Sequence, residues 1–165
     1  MKRPIKIVSG GQTGADRATL DFAIQHNIPH GGWCPKGRIA EDGTIPDCYQ
    51  LTEARSKNLV RRTELNVLDS DATVIFTVRP MLTRGSKKTA TLAKTHGKPC
   101  LHLSHDVLTV EAAAGQLRAF MDANKVKRLN VAGSRKSKEP EVGGFVDAVL
   151  LAAGTGAKDR PNLRP

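Results

Sequence analysis

Hydrophobic positions along this chain follow two patterns that alternate. Short aliphatic and β-branched runs are typical of buried strands, and they occur near residues 5–8, 72–77, 99–103 and 128–131. A further short strand is expected near residues 30–33. Apolar residues spaced three or four positions apart predict helices over residues 14–26, 56–69, 87–96, 109–124 and 140–153. The segment 28–50 is rich in Gly and Pro, which predicts a long loop with one short strand near its start.

The alternation of strands and helices indicates the fold class. Strands joined by helices need right-handed crossovers, which produce a parallel sheet covered by helices on both faces. We predict one α/β domain over residues 1–153 with a doubly wound parallel sheet of about five strands. We expect residues 154–165, which are rich in Gly, Pro and charge, to form a flexible tail. Ligands of such sheets bind beyond the carboxyl ends of the strands.

Charge narrows the classes of partner. The 165 residues carry 26 Lys and Arg against 16 Asp and Glu, a net charge of +10, but only one Trp, one Tyr and four Phe. Aromatic side chains that stack on bases are scarce near the basic stretches. The excess therefore fits a solvated surface or an anionic small ligand better than a nucleic acid.

Membrane, export and metal signals are weak. No apolar run approaches the roughly 20 residues of a membrane span, and the N-terminus lacks the apolar stretch of a signal peptide, so we expect a cytoplasmic protein. Three cysteines without a CxxC motif exclude a disulfide framework and favour reduced, mostly buried thiols. Cys100 and His102 have the alternation of one strand face, and we predict no metal site.

The first candidate binding segment, Ser9–Asp16, reads SGGQTGAD and lies between the first strand and the first helix. Glycines allow a tight turn there, and free N–H groups at a helix start favour an anion such as phosphate. A turn without a ligand is the alternative. Thr13 is the expected N-cap of the helix. The predicted ligand contacts from this segment are Gly10, Gly11, Gln12, Thr13, Gly14 and Asp16.

Two further segments place cations and polar groups near the expected ligand edge. In the long loop, Lys36 and Arg38 form a predicted mobile rim that reaches phosphates. Trp33 beside them either stacks on a heterocycle or plugs the loop onto the core. On the second helix, the run 61–66 is either a surface ladder or a polar face that points into the cleft. The residues predicted from that helix are Arg62, Glu64 and Asn66.

A third segment follows the central strand and begins the third helix. Gly85, Ser86 and Thr89 are predicted to form a second anion site there, again at a helix start. The basic turn 133–138 after the last strand is a weaker third candidate, because an exposed basic turn is common.

Several strings in the sequence together resemble one known family. They are SGGQTGAD at 9–16, HGGWCPKGR at 30–38, RTELNV at 62–67, KP at 98–99 and LNVAG at 129–133. From about Ile5 to Leu151 the chain is similar to the family named "putative molybdenum carrier", within a wider group that includes the lysine-decarboxylase-like phosphoribohydrolases. The resemblance implies a Rossmann-like fold, a phosphate-bearing ligand and, as one such ligand, the molybdenum cofactor (molybdopterin).

Three functions stay open at this point. The first is a binding or carrier protein for molybdopterin or a nucleotide-like metabolite, with a monomer and a homo-oligomer both open. The second is a nucleotide-processing enzyme in which Glu64 or Asp16 is the acid or base. The PGGxGTxxE motif of the phosphoribohydrolases is missing around Gly85–Thr89, which argues against their hydrolysis. The third is a nucleic-acid-binding protein.

Overall fold

The structure, a computed structural model, describes residues 5–156, in which strands and helices alternate. Five helices lie in these residues: α1 (Ala15–Gln25), α2 (Leu59–Leu68), α3 (Arg84–Thr95), α4 (Val110–Ala123) and α5 (Val142–Ala152). Nine strands lie in the same part of the chain: β1 (Lys6–Val8), β2 (His30–Gly31), β3 (Trp33–Cys34), β4 (Ile39–Ala40), β5 (Gly43–Thr44), β6 (Thr52–Glu53), β7 (Ala72–Thr77), β8 (Cys100–Ser104) and β9 (Arg128–Gly133).

Five of the strands form the central sheet, in the order β2-β1-β9-β7-β8. Every neighbouring pair is parallel. The helices pack in two groups, α1 and α4 against α5, and α2 against α3. This arrangement confirms the predicted α/β fold with a Rossmann-like parallel sheet of five strands. It also puts β1 beside β9 and β9 beside β7, so that the segments after these three strands meet at one edge.

The main core explains why the strand patterns were readable. All six residues of β7 are buried, because the strand lies between β9 and β8 and is covered on both faces. Phe76 packs edge to face on Phe145 of α5, with ring centroids 5.8 Å apart. Full burial of one such aromatic or aliphatic side chain contributes about 1.5–3 kcal/mol. Because whole strands are buried in this core, the sheet is rigid and positions the cleft residues at its edge.

The prediction of a long loop over residues 28–50 is wrong in part. That segment holds the edge strand β2, the strand β3 that pairs with β6, and the antiparallel hairpin of β4 and β5. A small second core of Cys34, Ile45 and Tyr49 forms around Leu20 of α1. The Gly and Pro residues of this region therefore mark tight connections between very short strands.

Four smaller predictions need correction or lie outside the description. α3 begins at Arg84 rather than residue 87, because the Ser86 hydroxyl accepts from Thr83 N–H at 3.1 Å and closes an earlier first turn. Gly14, not Thr13, is the N-cap of α1. Cys34 is buried, but Cys48 and Cys100 are exposed. Most of the predicted tail, residues 157–165, lies outside the described residues.

None of the helices in residues 5–156 is long and apolar enough to cross a membrane. The cytoplasmic location stays a prediction.

Candidate functional site

A cleft of about 590 Å³ lies beyond the carboxyl ends of β1, β7 and β9. Its walls are formed by the first loop with the start of α1, the inner side of α2, the connection from β7 into α3 and the connection from β9 towards α5. This is the edge at which open parallel sheets bind ligands. The parallel order of the sheet therefore brings together lining residues as far apart in sequence as Gly10 and Glu139.

The cleft walls carry a surplus of positive charge. Only two acidic side chains of the described residues line it, Asp16 and Glu139. Six cationic residues line it as well: Arg62, Arg79, Arg84, Lys88, Arg135 and Lys138. A concave surface with one dominant sign of charge concentrates ions of the opposite sign. The cleft therefore suits an anion.

Arg62 lies over Gly10 at the inner end of the cleft. A Cβ at Gly10 would overlap Nη1 of Arg62 and lie 2.6 Å from its Cζ, so the guanidinium needs a glycine at this position. Nη1 lies 3.4 Å from Asp16 Oδ2, and the side chain is only 14% exposed. Within residues 5–156, Nε of Arg62 is the one buried side-chain nitrogen or oxygen without a hydrogen-bond partner. An unmatched buried donor costs about 1–3 kcal/mol, and functional sites are where such costs are tolerated.

Asp16 is buried beneath Arg62 in the first turn of α1. Its Oδ2 accepts a hydrogen bond from Gln12 N–H at 3.2 Å. Burial raises the pKa of Asp16 above its usual 3.8, and the attraction of Arg62 opposes this rise without cancelling it. Asp16 is therefore a carboxyl group with a perturbed pKa inside a cationic cleft, the pattern of a proton-handling group.

Glu139, the second carboxylate of the cleft, braces two loops. Its oxygens accept from Val78 N–H at 3.0 Å, from Arg79 N–H at 2.7 Å and from the Ser134 hydroxyl. Partial burial opposes ionisation, but these hydrogen bonds outweigh it and hold the pKa of Glu139 below its usual 4.5. Because its oxygens are occupied by these donors, Glu139 fixes the segments after β7 and β9 relative to each other.

The start of α3 forms the opposite wall. The Ser86 hydroxyl donates to Thr83 O at 2.8 Å, and the Thr89 hydroxyl donates to Gly85 O at 3.0 Å. A Cβ added at Gly85 would meet nothing within 4 Å. The hydroxyl hydrogens are thus used within the helix, and what α3 offers a ligand is the open surface at Gly85 and the positive end of the helix dipole.

The cleft brings together eight of the residues predicted from the sequence: Gly10, Gln12, Asp16, Arg62, Asn66, Gly85, Ser86 and Thr89. The other six do not line it: Gly11, Thr13, Gly14, Lys36, Arg38 and Glu64.

The glycines deeper in the first loop face other segments of the chain. A Cβ at Gly11 would lie 2.6 Å from Cδ1 of Leu51, and one at Gly14 would overlap Ser134 O. Thr13 donates its hydroxyl hydrogen to Glu41. These three residues thus allow the loop to pack against the hairpin region and the segment after β9.

Arg38 and Lys36, which were predicted to form a mobile rim, do not line this cleft. The Arg38 guanidinium donates to the carbonyl oxygens of Ile45 at 3.0 Å, Pro46 at 2.8 Å and Tyr49 at 3.0 Å. Arg38 therefore stabilises the small second core. Lys36 is exposed on the same region.

The helix α2 divides its polar residues between two surfaces. Glu64 is paired with Arg61 at 3.0 Å and with His96, the C-cap of α3, at 3.0 Å, outside the cleft. Asn66 accepts from Trp33 N–H at 2.7 Å and donates to Trp33 O at 3.0 Å, which ties β3 to the helix. The Trp33 indole donates to Asp69 at 2.6 Å, so Trp33 anchors its loop rather than lying free for a heterocycle.

Several lining residues were not among the predicted site residues. Arg84 and Lys88 lie in the segment that was predicted as the second anion site, but they were not chosen as contact residues. The cations after β9 could have been found from their position after a parallel strand, but an exposed basic turn was the simpler interpretation. An apolar lip at the cleft gave no recognisable signal, because single exposed apolar residues are common. It is formed by Leu59 and Val60 of α2 and by Met81, which is 77% exposed.

No group of three or more His, Cys, Asp or Glu side chains suited to a metal ion occurs in residues 5–156.

Comparisons with known proteins agree with this architecture. Residues 7–153 match the model of the cpYpsA family, the circularly permutated YpsA SLOG family. A crystal structure named "Putative molybdenum carrier protein", from Syntrophus aciditrophicus SB, superimposes with a TM-score of 0.90 at 46% identity, over 93% of this chain and 97% of that one. No curated protein matches. The chain belongs to the circularly permutated YpsA SLOG family, and the resemblance drawn from its sequence is confirmed. Both relatives fit a binding or carrier role.

Proposed function

We propose that the protein binds a phosphate-bearing small molecule in this cleft and acts as its carrier or binding protein. The observation that carries the proposal is the convergence of six cations on a cleft that contains two acidic residues, with Arg62 at its inner end. Arg62 has a buried Nε–H without an acceptor. Guanidinium groups bind phosphate through charge-assisted hydrogen bonds, which are among the strongest in proteins.

The apolar lip supports a ligand with a ring as well as a phosphate. Leu59, Val60 and Met81 lie at the same cleft as the cations and are all exposed. An apolar surface beside a cationic one fits a heterocycle that carries a phosphate, since each part then meets matching chemistry. Molybdopterin and a nucleotide-like metabolite both have this composition. The name of the similar Syntrophus structure favours the first of them.

Native mass spectrometry of freshly purified protein tests this proposal directly. We expect an adduct whose mass matches a phosphate-bearing heterocycle, and we expect AMP and inorganic pyrophosphate to bind the emptied protein in calorimetry. A duplex oligonucleotide serves as the competing ligand. Tight oligonucleotide binding that falls steeply with salt, without binding of either small anion, would favour the nucleic-acid alternative.

A nucleotide-processing enzyme is the second candidate, and Asp16 is the observation that favours it. Its carboxyl is buried in the cleft with a raised pKa, as expected of a general acid. Glu64 loses this role in the proposal because it pairs with His96 outside the cleft. Product formation from nucleotides by the wild type, abolished in Asp16→Asn while AMP binding persists, would establish the enzyme. Unchanged substrates leave the carrier role as the better account.

A further inference from the structure

Glu41 lies outside the cleft, in the hairpin of β4 and β5, yet its carboxylate contacts a cleft wall. Oε1 accepts from Ser137 N–H at 3.2 Å and from the Thr13 hydroxyl, while Oε2 accepts from the Ser137 hydroxyl at 2.6 Å. Arg135 Nη1 lies 3.8 Å from Oε2. The side chain is only 20% exposed, although the hairpin around it is open to solvent. One carboxylate therefore joins the first loop, the hairpin and the segment 134–138.

The segment 134–138 supplies two of the six cleft cations, Arg135 and Lys138. Glu139 fixes its far end, and Lys136 N–H donates to Thr13 Oγ1 at 3.2 Å. A long cationic side chain loses conformational entropy when it binds a ligand. This loss is smaller when the backbone that carries the side chain is already fixed. The contribution of these two cations therefore depends on what holds the segment.

The electrostatics of Glu41 suit this task. Partial burial opposes its ionisation, but hydrogen bonds from Ser137 and Thr13 outweigh the burial and hold the pKa of Glu41 below its usual 4.5. At neutral pH the group is a carboxylate that only accepts hydrogen bonds. It can therefore satisfy all three donors at once.

We propose that Glu41 is a positioning residue for anion binding, which fixes the segment 134–138 so that Arg135 and Lys138 face the ligand. The inference rests on the proposed function of the cleft. The inference predicts the direction in which anion affinity changes when the Glu41 carboxylate is removed. Charge alone says that removing a carboxylate near a cationic cleft tightens anion binding. If Glu41 positions the segment 134–138, the same change weakens anion binding.

Calorimetric titration with inorganic pyrophosphate shows whether removal of the Glu41 carboxylate tightens or weakens anion binding. We compare the wild type with Glu41→Gln and with the matched control Asp42→Asn, which removes the same charge one residue along the hairpin. Asp42 pairs with Arg17 at 2.7 Å. The charge of Lys136 acts on Asp42 at longer range, without a hydrogen bond or ion pair to the segment 134–138. We expect Glu41→Gln to bind about tenfold more weakly, the effect of about one hydrogen bond, and Asp42→Asn to bind as the wild type or slightly tighter. Equal or tighter binding by Glu41→Gln overturns the proposal.

Two further measurements exclude a general loss of structure. Ser137→Ala removes a donor from the other side of the contact and should also weaken binding, at an unchanged melting temperature. In an Arg135→Ala background the penalty of Glu41→Gln should shrink, because the positioned cation is gone. An undiminished penalty there means that Glu41 acts elsewhere and overturns the inference. If the wild type itself fails to bind pyrophosphate or AMP, the proposed function fails first and the inference falls with it.

Discussion

Two loops of this protein have the same description in sequence and opposite environments in the structure. Residues 9–16 and residues 78–89 both follow a parallel strand, contain glycine and begin a helix. In the first loop, a Cβ at Gly11 or Gly14 would collide with other parts of the chain. In the second, a Cβ at Gly85 would meet nothing within 4 Å. A glycine between a strand and a helix allows another group to come close to the backbone. That group can be a ligand or a neighbouring segment of the chain.

The two carboxylates of the cleft show a similar contrast in electrostatics. Burial raises the pKa of Asp16, which lies under Arg62 at the first loop. Hydrogen bonds, against the effect of burial, lower the pKa of Glu139, which braces the second loop. The first loop is therefore packed against other segments and contains Asp16, whose pKa is raised. The second loop is open to the cleft and is held in place by the ionised carboxylate of Glu139.

The largest expected effect is on the free energy of unfolding, and it distinguishes Gly14 from Gly85. Gly14 has φ +79°, and an added Cβ would overlap Ser134 O, so Gly14→Ala should lose at least about 3 kcal/mol of unfolding free energy. Gly85→Ala is the control. It lies in α3 with open space, and alanine should stabilise the helix by about 0.5–1 kcal/mol. Urea denaturation measures both. A stable Gly14→Ala variant would show that the first loop is not a packed junction.

Removal of Arg62 should affect ligand binding next most strongly. Arg62→Ala deletes the guanidinium at the inner end of the cleft and should weaken AMP binding by about 2 kcal/mol, as for one charge-assisted hydrogen bond. Arg62→Lys should recover only part of the loss, because lysine lacks the planar fork. Isothermal titration gives both values. Wild-type affinity in the alanine variant would remove Arg62 from the binding site.

A smaller effect distinguishes two lysines of the same helix. Lys88 lines the cleft, whereas Lys94 lies in the last turn of α3 outside it. Lys88→Ala should weaken AMP binding by about 0.5–1 kcal/mol at low salt, since one exposed cation is lost. Lys94→Ala removes the same charge and should change the affinity much less. Equal losses would mean that only the net charge of the protein attracts the ligand.

The smallest effects are opposite slopes of stability with pH. The lowered pKa of Glu139 stabilises the fold above pH 4.5, and this contribution is lost as the pH falls below that value. The raised pKa of Asp16 works in the other direction, so its folded form gains stability as the pH falls through the folded pKa towards 3.8. Denaturation of Glu139→Gln and Asp16→Asn between pH 3 and pH 7 should therefore give differences from wild type with opposite slopes. Parallel slopes would contradict this assignment.

The sequence was sufficient to predict the sheet and part of the lining of the candidate cleft. β7 was readable because six consecutive residues are buried, and Arg62 was a candidate because it shares a helix face with Asn66. The role of Glu139 was not readable, because the amides that it accepts from belong to Val78 and Arg79, about 60 residues away. The environments of Gly11 and Gly14 depend on Leu51 and Ser134, and only the folded chain brings these residues together.

The location of a bound anion tests the central claim most directly. A crystal structure with inorganic pyrophosphate should place the anion in the cleft, within hydrogen-bond distance of Arg62 and facing Gly85 at the start of α3. Density on the backbone amides of Gly11 and Gly14, with an empty cleft, would contradict the claim that the cleft between Arg62 and Gly85 is the ligand site.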